Sequence, residues 1–232
     1  MRSRRVVLIV LAIVVVVVVV GGVYTVFFAS KPSPTTSKAP GPAAACPTPA
    51  ATTGMRSFNI VPAQTTASYK VHENLILHNL PSTDAVGKTH DVSGTFRITT
   101  KAPLVAALNV TVNLSTLQTD EPMRDRYVRE RALETSSNPN ATFALTCTQG
   151  MPASYSDGQT IAFKMLGNLT MHGKTNQETF AVTGKVAGNM VTGTATTSIL
   201  MSDFGIDPPN LENIAKAENK VLITLNFTAK EG

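Results

Sequence analysis

Tryptophan is absent from the 232 residues, and cysteine occurs twice, as Cys46 and Cys147. Two cysteines cannot build the multi-bridge framework of a small disulfide-stapled domain. Without CxxC spacing or a neighbouring His cluster they form no zinc or redox motif either. The four histidines, His72, His78, His90 and His172, have no HExxH-type spacing, which removes the common helical zinc-hydrolase pattern. No GxSxG element is present, so an α/β-hydrolase nucleophile has no anchor. Gly87-Lys88-Thr89 mimics the end of a P-loop, but Ser82 stands where the first Gly belongs and strand-like residues follow.

Acidic residues are missing from positions 1–55, which hold Arg2, Arg4, Arg5, Lys31 and Lys38. The remaining 15 basic residues meet 15 acidic ones, so the formal charge of +5 belongs to the N-terminal segment. A nucleic-acid binder would carry a basic face within its domain, and this balance gives no support for one.

The N-terminal segment sets the expected location. Arg2, Arg4 and Arg5 precede an uncharged, mostly apolar run from Val6 to Phe28. More than about 18 such residues are long enough to cross a bilayer as a helix, and the preceding arginines favour a cytoplasmic N-terminus. A cleaved signal peptide is the alternative. Its apolar core would be shorter, and bulky Phe27 sits two places before Ala29, where a small residue is expected. The reading is a cytoplasmic stub (1–5), a transmembrane signal-anchor (6–28) and a disordered Pro/Ala/Thr linker (29–55), with the domain (56–232) outside the cell membrane. A disulfide between Cys46 and Cys147 would staple that linker to the domain; two separate thiols are the alternative.

The domain has strand periodicity. Leu108, Val110, Val112 and Leu114 alternate with polar residues; Phe143, Leu145 and Cys147 alternate with Ala144 and Thr146, and Phe180 and Val182 with Ala181 and Thr183. Phe163, Met165, Leu169 and Met171 share one face with Gly167 between them. Val221, Ile223, Leu225 and Phe227 repeat the pattern. Turn signals at Ser156-Asp157-Gly158, His172-Gly173-Lys174 and Ala187-Gly188-Asn189 separate the runs. One stretch, Thr119 to Glu134, is instead dense in charge. It reads as a short charged helix with Pro122 in its first turn and an Asp125–Arg129 pair. The sum is all-β: a closed antiparallel lipocalin-like β-barrel, or a sandwich, with one short helix.

Five segments, in order, resemble the YceI-like family of exported lipocalin-like barrels that bind polyisoprenoid lipids. They are Thr66-Ala67-Ser68-Tyr69-Lys70-Val71; Val86-Gly87-Lys88-Thr89 through Thr95; Met123 to Val128 with Leu133 and Asn138 to Phe143; Leu166 to Thr175; and Ser202-Asp203-Phe204-Gly205-Ile206. The resemblance runs from about Phe58 to Phe227. Asn138-Pro139 stands in place of the family's aromatic-Pro pair, and Leu133-Glu134-Thr135 replaces its usual phenylalanines, which changes the expected mouth.

The resemblance implies a barrel that binds an isoprenoid lipid or isoprenoid quinone, without cofactor, metal or catalyst. The residues expected to line its lumen are Val110, Val112, Leu114, Phe143, Phe163, Met165, Leu169, Met171 and Phe180. Tyr69, Tyr127, Leu133 and Phe204 are expected nearer the mouth. The cytoplasmic membrane is a further expected partner, nucleic acid is not, and a homodimer stays open. Two other classes compete. One is an enzyme using His72 with Glu73 on a bound apolar substrate; the other is a structural envelope module whose barrel is filled with side chains.

Overall fold

The computed structural model describes residues 54–75, 82–99, 105–211 and 215–232. The expected anchor helix and nearly all of the expected linker, including Cys46, lie outside these residues. Among the described residues no helix is long and apolar enough to cross a membrane.

Among the described residues, eleven strands form one antiparallel sheet. They are β1 (Met55–Ile60), β2 (Thr66–Leu75), β3 (Thr83–Thr89), β4 (Val92–Thr99), β5 (Val105–Asn113), β6 (Asn140–Gln149), β7 (Thr160–Met171), β8 (Lys174–Ala187), β9 (Met190–Leu200), β10 (Asn210–Leu211) and β11 (Ala215–Glu231). Pairing runs β1-β4-β5-β6-β7-β8-β9-β11, and β11 returns to β1. The result is a closed eight-stranded barrel. Closure removes the exposed edges that an open sheet would present.

The seam of closure lies along β11. Its N-terminal part pairs with β2, from Ala215↔Leu75 to Asn226↔Thr66. Its C-terminal end pairs with β1, from Ala229↔Ile60 to Glu231↔Phe58. β1 and β2 are therefore successive halves of one bent strand, joined by a 3-10 turn at Pro62–Gln64. The turn interrupts the ladder opposite Thr228. Val61 N–H donates to Thr228 O (2.8 Å). Thr65, fully buried, accepts from Thr228 N–H at its hydroxyl oxygen (3.2 Å), and the same hydroxyl donates to Thr228 O (3.3 Å). A side-chain hydroxyl thus satisfies a backbone group that the bend would otherwise leave unpaired.

β3 and β4 make the matching bent strand. β3 pairs with β2 and β4 pairs with both β1 and β5. β3 splays from β5, and the segment after β5 fills the opening. Lys88 and Gln118 exchange backbone hydrogen bonds there (2.8 and 3.0 Å). A 3-10 turn at Leu114–Thr116 leads to helix α1 (Pro122–Tyr127), which continues as a π-turn over Val128–Ala132. Glu121 caps α1 by accepting from Met123 N–H, and Pro122 sits where a missing N–H costs nothing.

The expected charge pairing of this segment is corrected. Asp125 accepts from the Thr119 N–H and hydroxyl (both 2.7 Å) instead of pairing with Arg129, which donates to Leu117 O (3.1 Å). A short helix starting at Pro122 leaves Asp125 in its first turn, close to the unpaired donors just before it. The ion pairs that form at i,i+4 spacing are Asp120–Arg124 (2.6 Å) and Arg126–Glu130 (3.5 Å).

The β7–β8 hairpin turns through His172 and Gly173, both at positive φ (49° and 71°). That is the backbone a two-residue hairpin loop matched to strand twist requires. Cys147 in β6 is buried and disulfide-bonded.

The seam yields a stability prediction. Thr65→Val keeps the shape and removes the hydroxyl, leaving the half-buried Thr228 N–H without that partner. It is expected to cost about 1–3 kcal/mol in denaturant unfolding; an unchanged midpoint would show that the bend does not rely on that hydroxyl.

Candidate functional site

Inward side chains do not meet at the barrel axis. They surround a cavity of about 760 Å³ that runs from the α1 end to the end bordered by Met151 and Tyr155 of the β6–β7 connection. Close-packed interiors leave few voids larger than a water molecule, so this is no packing defect. It falls in the range of small-molecule pockets.

Strand alternation decides which residues reach it. Leu108, Val110 and Val112 of β5 line it, as does Leu114 just beyond. On β7, Phe163, Met165, Leu169 and Met171 line it, and Phe143 and Phe180 meet edge to face with centroids 4.9 Å apart. Tyr69, Tyr127 and Leu133 line the α1 end. Of the thirteen residues expected at the site, twelve therefore border the cavity.

Phe204 does not, and that expectation is corrected. It is fully buried within the core cluster that surrounds the lumen but is not part of the cavity wall. The 3-10 turn Met201–Phe204 ends the alternation of β9, and Gly205 at φ +70° closes it. Phe204 O accepts from the His172 ring (Nδ1, 3.1 Å), so this residue ties the β9 end to the β7–β8 hairpin.

Gly167 faces inward as its spacing implies, but the space above it is occupied. A Cβ there would lie 2.6 Å from Phe143 Cζ and collide with the Ala144 carbonyl oxygen. The glycine leaves the Phe143 ring room over the neighbouring strand. Gly87 does the same for Tyr69, which stands directly opposite it in the β2–β3 ladder. Both rings owe their place on the lumen wall to a missing side chain.

Several wall residues were absent from the expected set. Val221, Ile223, Leu225 and Phe227 of β11 line the lumen, and their period of two was visible in the sequence. Phe96, Ile98 and Val105 shape the far end, where Phe96 stacks on Phe58 (5.6 Å). Glu73 and Arg124, which no apolar pattern would flag, border the α1 end.

Polar groups are few and border both ends: Glu73, Glu121 and Arg124 at the α1 end, and Tyr155, Gln159 and Lys185 at the opposite end. Arg124 donates to Glu73 (3.2 Å) and to Asp120 (2.6 Å). Burial works against its charge, but the two carboxylates outweigh burial and raise its pKa above the ordinary guanidinium value. Tyr69 is pushed up to about 12, chiefly by burial, so its hydroxyl stays protonated. That hydroxyl is buried and has no hydrogen-bond partner among the described residues.

The pairing of His72 with Glu73 is not assembled. Glu73 points toward the lumen with Tyr69 and Val71, whereas His72 lies outside against Asp84 (3.0 Å). Adjacent strand residues face opposite sides. Among the described residues no group of three or more His, Cys, Asp or Glu is placed to hold a metal.

An eight-stranded antiparallel barrel with an apolar lumen instead of a filled core is a lipocalin-like barrel. A model of the YceI-like domain matches residues 58–229, more than half of the chain. The chain belongs to the YceI-like family. A UPF0312 protein of Shewanella sp. (strain W3-18-1) is 31% identical over 128 residues, 52% of this chain and 63% of that protein. The chain thus spans somewhat under two thirds of that relative. A UPF0312 protein of Enterobacter sp. (strain 638) is 28% identical over 158 residues, 60% of this chain and 76% of that one. Among solved structures, BcnA of Burkholderia cenocepacia superposes with a TM-score of 0.58 at 19% identity, covering 74% of this chain and 99% of BcnA. A polyisoprenoid-binding domain from Saccharophagus degradans gives 0.58 at 11% identity, covering 76% and 99%. At these identities the likeness is one of fold.

The ring-over-glycine packing is testable. Gly→Ala in a strand ordinarily helps slightly, but here the colliding Ala144 carbonyl is backbone and cannot swing aside. Gly167→Ala is expected to destabilise the barrel by about 1–3 kcal/mol in urea unfolding. Adding Phe143→Leu is expected to recover part of the loss.

Proposed function

We propose that this chain is a membrane-tethered, extracytoplasmic carrier that holds an isoprenoid lipid or isoprenoid quinone in the barrel lumen. The observation that carries this reading is the apolar cavity of about 760 Å³ along the barrel axis. Each 100 Å² of apolar ligand surface removed from water contributes about 2.5 kcal/mol before ordering costs. Enclosing a few isoprene units would therefore support useful affinity without a charged anchor. Met165 and Met171 in the wall adapt to an irregular, methyl-bearing chain because their side chains are unbranched and flexible. The fold shared with a polyisoprenoid-binding domain supports the ligand class. The arginine-led apolar run Val6–Phe28 supports the tether and the outward orientation.

The separation of His72 and Glu73 onto opposite faces favours carriage over catalysis. The cavity favours it over a side-chain-filled structural module.

Full-length protein purified in mild detergent is expected to carry lipid. Native mass spectrometry should show a bound species, and solvent extraction should release an isoprenoid. Protein that holds none and takes up none when isoprenoid is added would overturn the carrier reading. On cell fractionation the full-length chain is expected in the membrane fraction, released by detergent alone, with its barrel open to external protease. A mature chain beginning after Ala29 would overturn the tether.

A further inference from the structure

The lumen is apolar over most of its length, with Glu73, Glu121 and Arg124 at the α1 end and Tyr155, Gln159 and Lys185 at the other; the α1 end alone carries an unpartnered buried donor among the described residues. Tyr69 presents a buried hydroxyl there that has no hydrogen-bond partner among the described residues. A buried donor without an acceptor is unfavourable, and such groups in native proteins call for a specific explanation. The hydroxyl is not adrift. Its ring lies over Gly87, where any Cβ would collide with the ring carbons, so the missing side chain makes the space in which the donor sits.

The charges around it are unequal. Tyr69 feels one cation, Arg124, and three carboxylates, Glu73, Asp120 and Asp125. Arg124 is already engaged by two of them, Glu73 at 3.2 Å and Asp120 at 2.6 Å. Glu121 adds a further carboxylate to the cavity rim. Among the charges that act on the Tyr69 hydroxyl, the one cation is already paired and the surplus is negative. An anionic head would have to displace a formed ion pair and approach several carboxylates. A neutral oxygen acceptor would meet a protonated donor and no repulsion.

We propose that Tyr69 determines head-group specificity. Its hydroxyl donates to an uncharged oxygen acceptor, such as a ring carbonyl, on a ligand whose apolar tail fills the lumen, and the carboxylates around Arg124 disfavour phosphorylated heads. This inference rests on the carrier reading above and adds polarity and direction to it: head at the α1 end, tail toward Phe58 and Phe96.

The test compares three probes of equal chain length on lipid-stripped full-length protein: a prenylated benzoquinone, the prenyl hydrocarbon and the prenyl diphosphate. Affinities are read by displacement of a lumen-bound fluorescent dye. The native protein is expected to bind the quinone about three- to tenfold more tightly than the hydrocarbon, the size of one neutral hydrogen bond, and the diphosphate more weakly than the quinone. Tyr69→Phe keeps the ring and removes only the oxygen. It is expected to abolish the preference for quinone while leaving hydrocarbon affinity and melting temperature unchanged. A Tyr69→Phe variant that binds all three as the native protein does, or weakens all three alike, would sink the assignment and leave the carrier reading standing. So would tighter native binding of the diphosphate. Failure of every probe to bind the native protein would overturn the carrier reading, and this inference with it.

Discussion

The barrel depends on how one long strand is shared. β11 offers β9 one edge and divides the other between β2 and β1. If β1 did not reach the C-terminal end of β11, the sheet would remain open and the apolar faces of its strands would have nothing to enclose. The handover falls between Ile60 and Thr66, where the chain must bend without stranding backbone donors. Thr65 provides the local solution through its two hydrogen bonds to Thr228. The Arg56–Glu231 ion pair (2.6 Å) and the Phe58–Phe96 stack finish the far end of the same seam.

Closure then creates an interior that side chains do not fill. The wall is built from alternating apolar residues, and some of its aromatic rings sit over glycines. Phe143 over Gly167 and Tyr69 over Gly87 use the same device. A ring laid along the wall covers backbone without occupying the axis. Replacing those glycines with larger residues would push the rings toward the lumen or strain the ladder. The cavity is therefore encoded partly by residues that contribute no side chain to it.

The excursion between β5 and β6 gives the barrel its chemical asymmetry. As sequence it reads as a charged helix with a modest apolar side. In the fold, Tyr127, Val128, Ala132 and Leu133 turn toward the lumen, and Arg124 turns toward Glu73 of β2. The pair joins residues 51 positions apart. No spacing rule links them, so the polar end of the lumen could not be read from the chain. The same limit explains Phe204, whose place followed from a motif, whereas a 3-10 turn carries it into the packed core.

Period-two alternation by itself determined the β class, most of the strands and the inward set on β5 and β7, because successive strand side chains must take opposite faces whatever the sheet does. The His172-Gly173 hairpin was equally legible, since its backbone demands residues that tolerate positive φ. The bend that splits β1 from β2 and the bulges at Ala217/Val221 and Leu145/Cys147 were decided by tertiary structure alone. So were the rings laid over glycines and the meeting of Tyr69, Glu73 and Arg124. Each depends on which strand lies beside which, and at what register. Those relations arise between segments distant in sequence, and they become fixed when the sheet closes on itself.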